Sequence, residues 1–467
     1  MTKLINFFEL LIFRRRMFVI LFFLLTTVFL AYQSSLLKLD AGFTKNIPLK
    51  HEYMLNYMKH VDDFGGANRV LVSVCDKNSD IFNQTFFDTL KNVHDQLFFI
   101  NGVDRSLVLS LFSSSTRFTE IVEGGFSGGP VIPADFNSSN PAALQKVSGN
   151  IDKAGIVGRL VSDDFKCAMV SAQLLDLDPA TGEKLSTLVF AEQLEVQLRD
   201  KFENDDTSIH IIGFAKMIGD VANGAKDVLL FFAIAIVITA VLVFFFCKSA
   251  MLTVLPLLCS IIAVIWQLGL LTLLGFGLDP MSILVPFLVF AIGISHGVQM
   301  INSVGKEVIA GSSSQAAAQT AFRSLLIPGG VALLSDTIGF MTLLVIDIGI
   351  IRELAITASM GVAVIILTNL VLLPVLMSYV RFGDKYKKKF AGKENRADKF
   401  WDTIAACSSP KVAVVILVVT AVLFGFGWQQ SQKMKIGDLH AGAPALHEDS
   451  RYNQDTFLIT DKYAISV

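Results

Sequence analysis

The sequence predicts an α-helical membrane bundle of seven spans that carries an α+β domain outside the cytoplasm. Three observations predict it. Of the 467 residues, 53% are hydrophobic and 17% charged, and mean hydropathy is +0.58, whereas soluble domains carry about 25% charge. The apolar residues gather in seven runs without Lys or Arg, near the length of about 20 residues that a bilayer-spanning helix needs. The basic residues between the runs fall on one side when the spans are counted, which places that side in the cytoplasm. A net charge of −2 leaves no basic footprint for nucleic acid, and the composition excludes a cytosolic enzyme or a disordered chain.

In chain order, residues 1–16 form a cytoplasmic N-terminus that closes on Arg14, Arg15 and Arg16, ahead of a first span at 17–33. Residues 34–227 have ordinary soluble composition and form the outside domain. Within it, 69–75 alternates like a strand, 82–99 has helical spacing and 102–109 returns to β-like residues; 165–174, 185–202 and 208–213 repeat the pattern. Two strand–helix–strand units suggest a pair of small α+β subdomains. Residues 124–141, rich in Gly, Ser, Asn and Pro, read as a linker or flexible loop between them. Cys75 and Cys167 can pair if this domain is extracytoplasmic, although nothing in their spacing demands it. Cys247 and Cys259 lie in apolar runs, where a thiol behaves as a small hydrophobe.

Five further spans, at 228–246, 251–275, 282–303, 324–346 and 354–380, make a bundle over 228–380. The basic stretch 381–411 reads as a cytoplasmic linker. Its Phe390, Phe400, Trp401 and Ile404 suggest an amphipathic helix on the membrane surface, drawn to lipid headgroups. A seventh span follows at 412–428, and 429–467 lies outside.

The first run could be a signal peptide, but an internal repeat argues for a span. Leu36-Leu-Lys-Leu-Asp40 matches Met434-Lys-Ile-Gly-Asp438, with Lys38 and Lys435 at an offset of 397 that also overlays the first and seventh spans. His51-Glu-Tyr53 matches His447-Glu-Asp449 in the same frame. By this reading 429–467 opens a second outside domain and the plan is that of a chain of about 800 residues; the alternative is a half-size protein with an added span.

Ionisable groups inside spans are the informative residues, because burying them in lipid costs several kcal/mol. His296 lies in the fourth span and Asp336 in the fifth, at similar counted depth. A pair in the bundle interior suits proton movement, since imidazole titrates near neutral pH and a carboxylate favours its charged form; a static lock between helices is the competing reading. Ser295 adjoins His296, and Gln299 and Ser303 continue its helix face. Ser335 adjoins Asp336, and Asn369 adds an interior polar group in the sixth span. Gly293 and Gly297 form a small-xxx-small packing pair. Pro256, Pro286, Pro328 and Pro374 kink or start spans, and Asp347, Arg352 and Glu353 form an interfacial charge cluster. No nucleotide, zinc or hydrolase motif occurs, so neither a cofactor nor a metal is expected.

The layout resembles the resistance–nodulation–division superfamily of exporters, most closely its branch related to the mycobacterial large membrane proteins. The resemblance rests on Gly293-Ile-Ser-His-Gly297, Asp336-Thr-Ile-Gly-Phe340, Ile351-Arg-Glu-Leu-Ala355 with Gly361, and Gly213-Phe-Ala-Lys-Met-Ile-Gly-Asp220. It implies proton-motive-force-driven export of a hydrophobic or lipid-like substrate from a bacterial cytoplasmic (inner) membrane, through a porter-like outside domain of ferredoxin-like subdomains. Membrane lipids, periplasmic or outer-membrane proteins and further copies of the chain are the partners it implies. It also exposes a departure. The family's fourth span carries Gly-x-Asp-Tyr or Asp-Asp, and here Ser295 and His296 hold those positions. Asp336, with His296, is placed to supply the missing carboxylate; the alternatives are another ion or no coupling. Sterol-sensing relatives share the six-span unit, which keeps a non-transporting scaffold or sensor, or an inactive transporter fragment, as competing readings.

Overall fold

The structure is a computed structural model. It describes residues 2–37, 45, 48–64, 68–175, 177–179, 181–183, 185–279, 281–382, 401–435 and 442–464. The chain divides into two compact units, one of Met1–Lys50 with Lys226–Ile436 and one of His51–Ala225 with Gly437–Val467.

The first unit is helical. Seven helices are long and apolar enough to cross a membrane: Arg16–Ser35, Phe214–Cys247, Ala250–Leu273, Ser282–Ile309, Ser314–Val345, Gly349–Met377 and Pro410–Ser431. Each overlaps one of the expected runs, and the third, fifth and sixth end one to three residues before theirs. The fifth starts ten residues earlier than its apolar run, capped by Ser313, whose Oγ accepts from the Ala316 amide. Burial ranks the helices. In their most apolar stretches the third and sixth are 61% and 67% buried and the fourth 44%, against none of the seventh, so the third, fourth and sixth form the packed centre. The first span joins through Phe23, stacked on Trp266 at 5.2 Å, and through Trp266 Nε1, which donates to Thr27 Oγ1 at 2.9 Å. Gly269 permits this approach, because a Cβ there would strike the Leu30 carbonyl oxygen. Pro256 and Pro328 lie inside their helices, and Pro286 and Pro374 sit in first turns. The N-terminal helix Thr2–Arg14 is anchored by buried Glu9, which pairs with Arg323 through both guanidinium Nε and Nη2. At the other end Arg352 bonds Asp347 at 2.8 Å and Lys45 bonds Glu353 at 2.8 Å.

The second unit is α+β. Its strands are β1 (Arg69–Asp76), β2 (Val103–Leu109), β3 (Arg117–Val122), β4 (Gly125–Pro130), β5 (Cys167–Leu174) and β6 (Thr207–Gly213). Its helices are α1 (Glu52–Phe64), α2 (Gln84–Phe99), α3 (Pro141–Ala154), α4 (Thr187–Leu194) and α5 (Arg451–Lys462). β2, β5, β1 and β6 form one antiparallel sheet in that order. The two strand–helix–strand units therefore share a sheet and a core instead of forming a pair of subdomains. The reason is visible in β1, buried on both sides of its pleat at Val70, Val72, Ser73, Val74 and Cys75: such a strand needs a partner on each edge. Cys75 stands opposite Cys167 across β1 and β5, and the two form a disulfide closing 92 residues. Gly213 ends β6 with φ +142°, a conformation L side chains rarely adopt.

Residues 124–141, expected as a flexible linker, begin as structure. β3 and β4 make a hairpin in which Val122 pairs with Gly125 around a two-residue turn. The glycines that suggested a loop are the turn and the second strand. α3 then starts at Pro141 in its first turn, capped by Asn140.

Residues 442–464, expected to open a second outside domain, belong to this same unit. Asp455 of α5 is fully buried and receives Arg199 Nη2 at 2.7 Å, His210 Nδ1 at 2.8 Å and the Ile211 amide at 3.0 Å. Ser73 Oγ and the Tyr463 hydroxyl lie 2.9 Å apart, and the Ala464 amide donates to the Gly158 carbonyl. Repeat residues Lys38, Asp40 and Asp438, and the basic stretch 383–400 with Phe390 and Phe400, lie outside the described residues; Trp401 and Ile404 are exposed.

Candidate functional site

The fourth span turns two different faces to its neighbours. Gly293 and Gly297 face the third and sixth spans. A Cβ on Gly293 would stand 2.6 Å from Ser260 Oγ and 3.2 Å from Asn369 Nδ2; one on Gly297 would stand 2.6 Å from Pro256 Cβ and 3.3 Å from Asn369 Oδ1. Both glycines thus set close helix approach, and both border polar atoms.

His296 lies on the adjoining face, half-buried, with the fifth span beside it: a Cβ on Gly329 would stand 3.7 Å from His296 Nδ1. Asp336 is seven residues beyond Gly329, about 10 Å along the helix, and continues the Gly329–Leu333 face at i, i+4, i+7. Among the described residues no hydrogen bond or ion pair joins Asp336 to His296. Asp336 is exposed, which corrects the expectation of a pair enclosed in the bundle. The fifth span is the cause, since only 11% of its most apolar stretch is buried and the fourth span covers it at Gly329 but not at Asp336. Ser295, Gln299 and Ser335 are likewise exposed. Ser303 is half-buried, with its Oγ 3.5 Å from Ser324 Oγ.

Asn369 is fully buried. It sits in a π-helical turn, Thr368–Leu372, that interrupts the sixth span, and π turns inside α-helices often mark functional positions. Its Nδ2 donates to Thr368 Oγ1 at 3.2 Å, and its Oδ1 has no partner among the described residues. Sequence reasoning missed Ser260 and Gln267 of the third span, both fully buried. Ser260 Oγ and both polar atoms of the Gln267 carboxamide are also unpartnered. Their signal was present in the sequence as two polar residues at i and i+7 on one face of an apolar run.

The model of the MMPL family matches residues 134–415. The chain belongs to the MMPL family. Within this MMPL protein the match takes in the second to sixth spans entirely, and with them His296, Asp336 and Asn369. A membrane protein of Methanocaldococcus jannaschii, whose name (MJ1562) describes it no further, is 21% identical over 387 residues, which cover 77% of this chain and 89% of the relative. Family membership and seven apolar helices make the chain a multi-pass membrane protein.

Proposed function

We propose that this MMPL protein is a secondary-active exporter of a hydrophobic or lipid-like substrate, driven by the proton motive force across a bacterial cytoplasmic membrane. One observation carries the reading: His296 and Asp336 lie on adjacent spans, Asp336 two turns along the face on which Gly329 meets His296, and among the described residues they are not bonded to each other. A static lock between helices would join them directly, because an unpaired ionisable group within a membrane is expensive. A pair held apart is free to take up and release a proton, with Asp336 uncovered by its own bundle and His296 half-buried within it.

The topology belongs to the same proposal. The N-terminus is cytoplasmic and the α+β unit faces the oxidising side, where a Cys75–Cys167 disulfide persists. The sheet order β2-β5-β1-β6, with α2 and α4 joining strands, supports a ferredoxin-like reading of this unit, as a porter-type domain would have. The uncovered polar surface of Ser295, Gln299 and Asp336 then faces the six-span bundle of a second copy.

The test is reconstitution of the protein in liposomes that carry a fluorescent acyl-lipid probe, with an imposed pH gradient. Transfer of the probe that stops when an uncoupler collapses the gradient supports the reading; transfer indifferent to the gradient, or none, refutes it.

A further inference from the structure

The unpartnered polar atoms of the packed centre form a second constellation, separate from His296 and Asp336. Ser260, Gln267, Thr368 and Asn369 are each 0% exposed, yet Ser260 Oγ, Gln267 Oε1, Gln267 Nε2 and Asn369 Oδ1 find no hydrogen-bond partner. A buried polar group left unsatisfied costs about 1–3 kcal/mol, and more where the surroundings are lipid. Four such atoms along one seam are not explained as structural glue, because glue would bond them to one another. Ser260 does not even adopt the i−4 backbone bond that Thr253 makes with Ser249.

Their placement is specific. Ser260 Oγ stands 2.6 Å from where a Gly293 Cβ would be, and the Asn369 carboxamide spans the two glycines, its Nδ2 3.2 Å from the Gly293 position and its Oδ1 3.3 Å from the Gly297 position. Asn369 commits its Nδ2 to Thr368 Oγ1, so the atom it offers to the seam is an oxygen. Gln267 lies two turns along the third span, and its side chain packs where Gly361 leaves room, 3.1 Å from that missing Cβ. Side chains on a helix lean towards its N-terminus, which directs the Gln267 carboxamide back towards the Ser260 layer.

We infer that the seam between the third, fourth and sixth spans binds a small monovalent cation, with Ser260 Oγ and Asn369 Oδ1 as its central ligands. Hydroxyl and carboxamide oxygens are neutral ligands that suit a singly charged ion. A hard divalent cation draws on carboxylates, and none of the four seam residues carries one. An anion would need cationic or donor groups, and the free atoms beside the two glycines are oxygens, Ser260 Oγ at Gly293 and Asn369 Oδ1 at Gly297, while the free donor Gln267 Nε2 lies two turns along the third span. An interrupted helix supplying neutral oxygens is a recurrent way to hold such ions at membrane depth, and the π turn at Thr368–Leu372 interrupts the sixth span at this level. The glycines on the fourth span are then ligand-side spacers: an alanine at Gly293 would fill the gap.

The inference stands apart from proton coupling, since it uses neither His296 nor Asp336. The experiment is thermal unfolding of the full chain in detergent micelles in sodium chloride against choline chloride at equal ionic strength. Sodium is expected to raise the melting temperature saturably, by about 1–2 °C at some tenfold above half-saturation. Asn369→Ala and Ser260→Ala are each expected to lose that difference, and Gly425→Ala, at a position with open space around it, to keep it. If either seam variant fails to fold, binding of radioactive sodium to the unaltered chain, displaced by unlabelled sodium but not by choline, reads the same site. Equal melting of the unaltered chain in both salts overturns the inference and leaves the seam to bound water. A sodium effect that survives in both seam variants overturns it too.

Discussion

Asp455 meets Arg199 at 2.7 Å in the interior of the α+β unit, where the carboxylate has no exposed surface. The two residues are 256 positions apart, and their pairing ties the helix α5 into a unit whose strands all precede six of the candidate spans. His210 and the Ile211 amide complete the ring around the carboxylate, and Arg451 reaches it from within α5 at 3.2 Å. Removing one partner of such a buried pair strands the other charge, at about 3–5 kcal/mol. Arg199→Met is therefore expected to release α5, seen as early cleavage after Arg451 or Lys462 in limited proteolysis, while β1 to β6 stay protected.

The same ring sets a pH dependence. Burial raises the Asp455 carboxyl, but the His210 hydrogen bond, Arg199 and the Ile211 amide outweigh it and hold the group below its ordinary value of 3.8. A carboxyl lowered by folding contributes stability that is complete above the unfolded value and is lost as pH falls through the folded one. Docking of α5 is thus expected to be constant from neutral pH down to about 5 and to weaken below 4. Following the proteolysis rate against pH checks it; a loss of protection that begins well above pH 5 would contradict it.

The Cys75–Cys167 bond joins neighbouring strands at the centre of the sheet. Cys75→Ser is expected to lower the stability of the α+β unit by roughly 2–5 kcal/mol, read as a lower urea midpoint. Reductant should shift the unaltered protein in the same direction and leave the variant unmoved.

Gly269 and Gly425 make a matched pair of tests. A Cβ at Gly269 would strike the Leu30 backbone, which cannot give way as a side chain can; a Cβ at Gly425 meets nothing within 4 Å. Gly269→Ala is expected to destabilise the bundle by about 1–3 kcal/mol and Gly425→Ala to be neutral, in thermal melts of detergent-solubilised protein.

How much of this was legible in the sequence depended on what each feature rests on. The spans followed from uncharged runs, because lipid imposes its solvent preference on every residue of a segment independently of its neighbours. The strands and helices of the α+β unit followed from local periodicity. Pairing did not: Cys75 and Cys167 become opposite residues only once β5 takes its place beside β1. The hairpin of β3 and β4 was hidden because its Gly-rich strand carries the same composition as a loop. Asp336 was placed too deep, since counting residues gives depth along a span but not whether a neighbour covers it. Ser260 and Gln267 escaped notice because single polar residues in an apolar run are ordinary, and only their joint burial without partners sets them apart.

Coupling through Asp336 is the central claim, and proton entry into liposomes filled with a pH-sensitive dye tests it most directly. With a substrate-loaded membrane and an imposed gradient, the unaltered protein is expected to acidify the lumen faster than empty liposomes. Asp336→Asn should fall to the empty-liposome rate, and Asp336→Glu should restore part of it. Equal proton entry through the unaltered protein and Asp336→Asn would contradict the claim.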